Sequence, residues 1–108
     1  MNKGEIWLVE IPSSDGHEQG GTRPAIILTE AQPNIAIVVP CTSNVQALRF
    51  PFTIEIKPTN RNGLNGISVA LVFHMRAVDK KRMVRKIGDL DNSVFKELDV
   101  MLKKLLQI

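Results

Sequence analysis

The chain contains few cysteines and few aromatic side chains. Its 108 residues include one cysteine, one tryptophan, four phenylalanines and no tyrosine. A single cysteine, Cys41, excludes an internal disulfide framework and fits a reducing compartment, so we expect a cytoplasmic protein. No apolar run approaches the roughly 20 residues that a membrane-spanning helix needs. No long apolar segment follows Lys3, so we predict neither a secretory signal peptide nor contact with a membrane.

The length and composition indicate a folded chain with one domain over residues 1–108. Hydrophobic residues make up 44% of the sequence, which excludes disorder over the whole length. The net charge of +3 permits an anionic partner without requiring one. Five of the seven residues at 80–86 are basic. This cluster is compatible with a solvated surface turn and also with a patch that follows a phosphate backbone.

Short apolar runs predict strands over residues 5–11, 25–29, 35–40, 50–56 and 67–73. Residues 75–78 continue the fifth strand or form a sixth, and residues 58–66 form a loop. A helical turn with Asp79 as its cap is expected at 79–82. Helical spacing of apolar residues predicts one amphipathic helix over 92–106, with Asp91 or Asn92 as cap. The fold class is therefore α+β, mainly β: a small bent antiparallel sheet or partial barrel, with the helix covering one open side.

Residues 16–24 combine a histidine, three glycines and an arginine between two apolar runs. The glycines give the backbone conformational freedom. Pro24 favours an extended conformation at Arg23, because the residue before proline avoids the helical region. The segment therefore places a fixed guanidinium near the movable imidazole of His17, and this pair suits a phosphate substrate.

Residues 4–9, 16–28, 38–43 and 76–83 resemble, in the same order, the MazF/PemK/Kid family of bacterial toxin ribonucleases. The resemblance implies a small SH3-like barrel of the PemK/CcdB type with a C-terminal helix, and a homodimer bound by a cognate antitoxin. It also implies the toxin of a type II toxin-antitoxin system. Such a toxin is an endoribonuclease that cleaves single-stranded RNA at a short sequence without a metal or another cofactor.

The chain departs from the family pattern just before its basic segment. Many members carry an acidic residue followed by glutamine there, whereas this chain has Phe73 and His74. A Kid-like branch has arginine where this chain has Leu71. A mechanism that needs this carboxylate as acid or base therefore cannot be transferred to this chain.

Metal-free RNA cleavage requires attack of the ribose 2′-OH on the adjacent phosphate, an acid and a base, and a cation that stabilises the added charge. We predict Arg23 as that cation, because its planar fork matches two phosphate oxygens. Thr42 follows an apolar strand and is expected to hold a phosphate oxygen or the 2′-OH. His17 titrates near neutrality and is the candidate for proton transfer. These three form the predicted catalytic set.

Each catalytic prediction has a structural alternative. Arg23 could pair with Glu18 or Asp15, Thr42 could bond its own turn, and His17 could be only solvent-exposed. His74 could replace the family's glutamine or be a satisfied histidine near a strand end, and Cys41 is expected to be a small buried filler. The residues predicted to contact RNA are Glu18, Gln19, Ser43, His74, Arg76, Lys80 and Lys81.

Two other functions are compatible with a small barrel. One is a non-catalytic inhibitor of DNA gyrase of the CcdB type, and the other is a nucleic-acid or protein binding module. The glycine-rich segment before Pro24 and the corner at residues 40–43 favour the ribonuclease, because both are typical of a phosphate site.

Overall fold

A computed structural model describes residues 1–11 and 21–108. Strands β1, β2 and β3 form the centre of the sheet, and four further strands and one helix follow. Their bounds are Glu5–Ile11 (β1), Gly21–Gln32 (β2), Ile35–Thr42 (β3), Thr53–Ile56 (β4), Ser68–Leu71 (β5), Arg76–Asp79 (β6), Met83–Asp89 (β7) and Asn92–Leu106 (α1). Short 3₁₀ helices lie at Val45–Arg49, Val72–His74 and Lys80–Arg82.

All strand pairs in the described residues are antiparallel, and the strand order is β4-β5-β3-β2-β1-β7. One edge of β3 is shared: its first half pairs with β6 and its last two residues pair with β5. The predicted mainly antiparallel fold with a C-terminal helix is confirmed. The sheet is open, however, since β4 and β7 form its two ends and do not pair with each other.

The bent sheet buries a different apolar cluster on each face. One cluster includes Ile26, Val39 and Ile54, and helix α1 packs against it through Leu98 and its neighbours. The other cluster lies on the opposite face around Val38. Alternate residues of a strand point to opposite faces, so a strand buried on both sides appears as a continuous apolar run. This explains the uninterrupted apolar segments of β2 and β3.

The sheet differs from the sequence prediction in several places. Strand β2 extends beyond the predicted 25–29 at both ends, and the strand predicted at 67–73 ends at Leu71, where a 3₁₀ helix follows. The strand predicted at 50–56 begins only at Thr53, because Phe52 adopts a positive φ of 59° directly after Pro51. Strand β7 was not predicted at all, because its segment is dominated by charge. Arg85 and Lys86 are exposed on this strand at the end of the sheet. Charged side chains are typical of edge strands, where they hinder pairing with another chain.

Helix α1 begins and ends where the apolar spacing predicts. Asp91 occupies its N-cap position, but the side chain bonds Thr59 and Asn62 in a preceding loop instead of capping the helix. The predicted cap at Asp79 is confirmed, since its Oδ1 accepts from the Lys81 backbone N–H at 2.9 Å. Among the described residues, no helix combines the length and apolar character that crossing a membrane takes.

Candidate active site

The ends of β2 and β3 bring the two central predicted residues together. Ala25 pairs with Pro40 in the antiparallel register of these strands. When this register is extended by two residues on each strand, Arg23 lies opposite Thr42. Both side chains are then on the same face of the sheet as Ala25 and Pro40. Both side chains line an open cavity of about 190 Å³, together with Cys41 and Ser43. We call this the Arg23 cavity.

The position of Arg23 is fixed by the pairing of its strand with β1. It pairs with Val9 of β1, and the next residue, Pro24, pairs with Leu8. The side chain is half-buried. An arginine is permanently charged, and its five N–H donors lie in one plane. The cavity therefore presents a cation from a sheet strand, which holds it more precisely than a loop does.

The Thr42 hydroxyl is oriented by its own turn, as the structural alternative proposed. Its Oγ1 accepts a hydrogen bond from the Asn44 backbone N–H at 3.2 Å. The Asn44 side chain in turn accepts from the Gln46 N–H at 3.1 Å and caps the following 3₁₀ helix. A hydroxyl that accepts a hydrogen bond from a backbone N–H can still donate its own proton to another acceptor. Thr42 is therefore suited to donate to a phosphate oxygen and unsuited to act as a base.

Cys41 lies next to Thr42 and has no chemical role in the cavity. The side chain is 2% exposed and packs in the apolar cluster that contacts α1. Burial raises the pKa of its thiol to about 12. Because the thiolate is the reactive form, this cysteine is not a nucleophile at neutral pH. The prediction of a buried filler is confirmed.

The surroundings of the cavity are depleted of negative charge. Between Glu30 and Asp79 the sequence contains a single acidic residue, Glu55, and this segment includes β3, β4 and β5. No carboxylate of the described residues lines the Arg23 cavity. The described lining of the Arg23 cavity therefore holds no carboxylate that would repel an approaching polyanion.

Several predicted RNA-contacting residues lie away from this cavity. Arg76 pairs with Val38 in the middle of β3. Lys80 is near the opposite end of β3, where its backbone N–H bonds Asn34 and its ammonium group lies 2.7 Å from Glu30. At about 3.3 Å per residue, the length of β3 separates Lys80 and its neighbour Lys81 from Thr42 by roughly 23 Å. Their contact with RNA stays a prediction.

Phe73 and His74, at the positions where the family pattern is broken, form an exposed aromatic pair. Their rings meet edge to face with centroids 4.4 Å apart, and Phe50 lies 6.2 Å from Phe73. Both residues lie in the 3₁₀ helix that follows β5, whereas Thr42 pairs with Val69 inside β5. His74 therefore does not line the Arg23 cavity, in contrast to Ser43.

The predicted residues His17, Glu18 and Gln19 lie outside the described residues. Within the described part of the chain, no imidazole or carboxylate lines the Arg23 cavity, so its walls supply a cation and hydroxyl donors. The same part of the chain contains no group of three or more His, Cys, Asp or Glu side chains placed to bind a metal ion. Asn65 and Ser68, which no sequence motif indicated, line an adjoining cavity together with Arg85 of the basic cluster at 80–86.

Comparison with known proteins identifies the class. A family model described as PemK-like, MazF-like toxin of type II toxin-antitoxin system matches residues 2–106. The chain therefore belongs to this family of toxins, and the predicted family is confirmed.

Individual relatives agree with this assignment. Endoribonuclease EndoA of Bacillus subtilis (strain 168) is 30% identical over 107 residues, which cover 95% of this chain and 91% of the relative. Endoribonuclease MazF9 of Mycobacterium tuberculosis is also 30% identical, with 95% and 93% covered. The crystal structure of MazF from Deinococcus radiodurans superimposes with a TM-score of 0.78 at 26% identity, covering 100% of this chain and 97% of that one.

Proposed function

We propose that this chain is a cytoplasmic endoribonuclease, the toxin of a type II toxin-antitoxin pair, which cleaves single-stranded RNA selectively to inhibit translation and growth. The observation that carries the proposal is the convergence of Arg23 and the Thr42 hydroxyl in one cavity at the ends of two paired strands. Relatives at 30% identity are named endoribonucleases, which supports the same reaction here.

The proposed reaction needs no nucleophile from the protein. The ribose 2′-OH attacks the adjacent phosphorus, the bond to the 5′-oxygen breaks, and the products are a 2′,3′-cyclic phosphate and a 5′-hydroxyl. Arg23 stabilises the charge that develops on the phosphate oxygens, and Thr42 donates to one of them. Holding the RNA for in-line attack is the main task of the protein. His17 is the proposed proton carrier, because histidine is the side chain that ordinarily exchanges a proton near neutral pH.

A cognate antitoxin and a second copy of the chain are the proposed protein partners. The crystal structure of a MazE-MazF complex from Deinococcus radiodurans superimposes with a TM-score of 0.74 at 27% identity, covering 100% of this chain and 96% of that one. This similarity supports an antitoxin that binds the toxin surface. The homodimer is proposed because Phe50 and Phe73 are exposed side by side on the single chain.

The proposal is tested by incubating the purified protein with a long RNA in EDTA and mapping the ends of the fragments. We expect cuts at a short recurrent sequence that leave cyclic phosphate and 5′-hydroxyl ends. An Arg23→Ala sample, purified in parallel, controls for contaminating nucleases. Intact RNA after incubation with the wild type would contradict the proposal, and inhibition of DNA gyrase in its place would favour the non-catalytic alternative.

A further inference from the structure

A second open cavity, of about 410 Å³, adjoins the Arg23 cavity. Ser43 lines both, and Pro24, which follows Arg23, lines the second. The strand register explains how β7 reaches this place, because Leu8 of β1 pairs with Pro24 on one side and with Arg85 on the other. We call this the side cavity.

The lining of the side cavity combines apolar walls with a few polar groups. Leu8, Leu64 and Ile87 contribute apolar surface, whereas the polar side chains are those of Ser43, Asn65, Ser68 and Arg85. No acidic side chain of the described residues lines it. Apolar walls with a few convergent donors and acceptors are typical of small-molecule sites. The absence of carboxylates and the presence of Arg85 favour a ligand that carries phosphate.

Ser68 gives independent support for a ligand. It is 7% exposed, and its hydroxyl has no hydrogen-bond partner among residues 1–11 and 21–108. A buried polar group without a partner costs free energy. Because Ser68 lines the cavity, a polar atom bound there can satisfy its hydroxyl.

The loop that supplies Leu64 and Asn65 is held rigidly. The fully buried Asn62 accepts from the backbone N–H groups of Thr59 and Leu64, both at 3.0 Å, and donates to the Lys57 carbonyl at 2.8 Å. Gly63 has a φ of +70°, and a Cβ on it would lie 1.9 Å from the Ile87 carbonyl oxygen. The wall of the cavity is therefore formed before any ligand binds, which lowers the entropic cost of binding.

We propose that the side cavity binds the nucleobase of the nucleotide adjacent to the scissile phosphate. Asn65 and Ser68 hydrogen-bond the edge of the base, Leu8 and Pro24 pack against its faces, and Arg85 contacts a neighbouring phosphate. These residues then determine part of the cleavage sequence. The inference rests on the proposed RNA cleavage at Arg23 and extends it to the choice of sequence.

The first test maps cleavage sites on a random-sequence RNA pool with the wild type, Asn65→Ala and Ser68→Ala. Each variant is expected to lose roughly tenfold in preference for one base at a position beside the cut, because a lost base-edge contact removes discrimination there. Asn60→Ala is the matched control, since Asn60 is exposed in the same loop and does not line the cavity. Unchanged base preference in both cavity variants would overturn the proposal.

The second test separates this inference from the proposed cleavage. A pool of short 2′-O-methyl RNA, which lacks the attacking hydroxyl, is titrated into ¹⁵N-labelled wild-type protein. The Asn65 side-chain amide signal is expected to shift, whereas the Asn60 amide signal is not. A shift at Asn65 in a protein that fails to cleave RNA would refute the nuclease function and leave the base site standing. A protein that cleaves RNA without any change at Asn65 would refute the base site alone.

Discussion

Arg23 is the residue on which the proposed chemistry depends most. Its guanidinium provides the only positive charge among the described residues that line the Arg23 cavity. Arg23→Ala is expected to lower the rate of RNA cleavage by roughly a hundred- to a thousandfold, as loss of a transition-state donor commonly does. Arg23→Lys should recover only part of the rate, since a lysine keeps the charge and loses the planar fork. Near wild-type turnover of Arg23→Ala in a single-turnover assay would refute the assignment.

Thr42 is expected to act through its hydroxyl proton. Thr42→Ala removes both the donor and the acceptor for the Asn44 N–H, so the cleavage rate should fall at least tenfold while RNA affinity changes little. Thr42→Ser keeps the hydroxyl and should restore most of the rate. The measurement is kcat and KM of the three proteins on one oligonucleotide. Equal loss in the serine and alanine variants would indicate that the threonine methyl group, and therefore packing, is what matters.

Glu30 makes folding stability depend on pH. Its carboxylate lies 2.7 Å from the Lys80 ammonium and 3.0 Å from the N-terminal amine. The hydrogen bond from Lys80, followed by that from the N-terminus, lowers its pKa below the ordinary 4.5. A lowered folded-state pKa contributes stability that is present above pH 4.5 and is lost as the pH falls through the folded pKa. The contribution is small, because the pair is at the surface.

Urea unfolding of the wild type and of Glu30→Gln checks this expectation. The wild type should have the higher midpoint at pH 7, and the difference should shrink as the pH falls through the lowered pKa of Glu30. A difference between the two midpoints that is the same at pH 7 and pH 3 would show that the ion pairs do not contribute.

At the scale of elements, the conformation of the loop between β4 and β5 depends on the buried side chain of Asn62. Asn62 makes four hydrogen bonds, the fourth to Asp91 just before α1 at 3.2 Å. Asn62→Ala leaves these buried partners unsatisfied and is expected to cost about 2–4 kcal/mol of unfolding free energy. Asn60→Ala should change it by less than about 0.5 kcal/mol. Chemical denaturation measures both, and equal stability of the two variants would refute the role of Asn62.

The same elements show what the sequence could predict. β1 and α1 were placed within their observed bounds, because seven residues of a strand and fifteen of an amphipathic helix carry a clear period. β7 was missed, because an edge strand with charged side chains has no such period. The motifs pointed to Arg23 and Thr42, which line one cavity in the structure, and their catalytic role stays a prediction. Ser68 and Asn65 were not, since nothing local to a loop indicates which cavity it will line once Asn62 fixes it against β7.

At the scale of the whole molecule, one apolar surface remains uncovered in the single chain. Val45, Leu48 and Phe50 are 50%, 37% and 46% exposed on one short segment, and Phe73, 38% exposed, lies beside Phe50. We call these four residues the apolar patch; Phe50 and Phe73 also line a hollow of about 270 Å³. Contiguous exposed apolar surface of this kind is typical of an interface. The patch begins three residues after Thr42 along the chain.

We therefore expect a homodimer held through the apolar patch. Sedimentation at micromolar concentration should show a dimer for the wild type and a shift towards monomer for Phe50→Asp, because burying an unpaired carboxylate in an apolar interface is costly. Val100→Asp is the control, since Val100 is 54% exposed on α1, outside the patch. A wild type that remains monomeric contradicts the dimer. A dimer that Phe50→Asp leaves intact places the interface on another surface. Where Phe50→Asp does become monomeric, its RNA cleavage shows whether one Arg23 cavity suffices for catalysis.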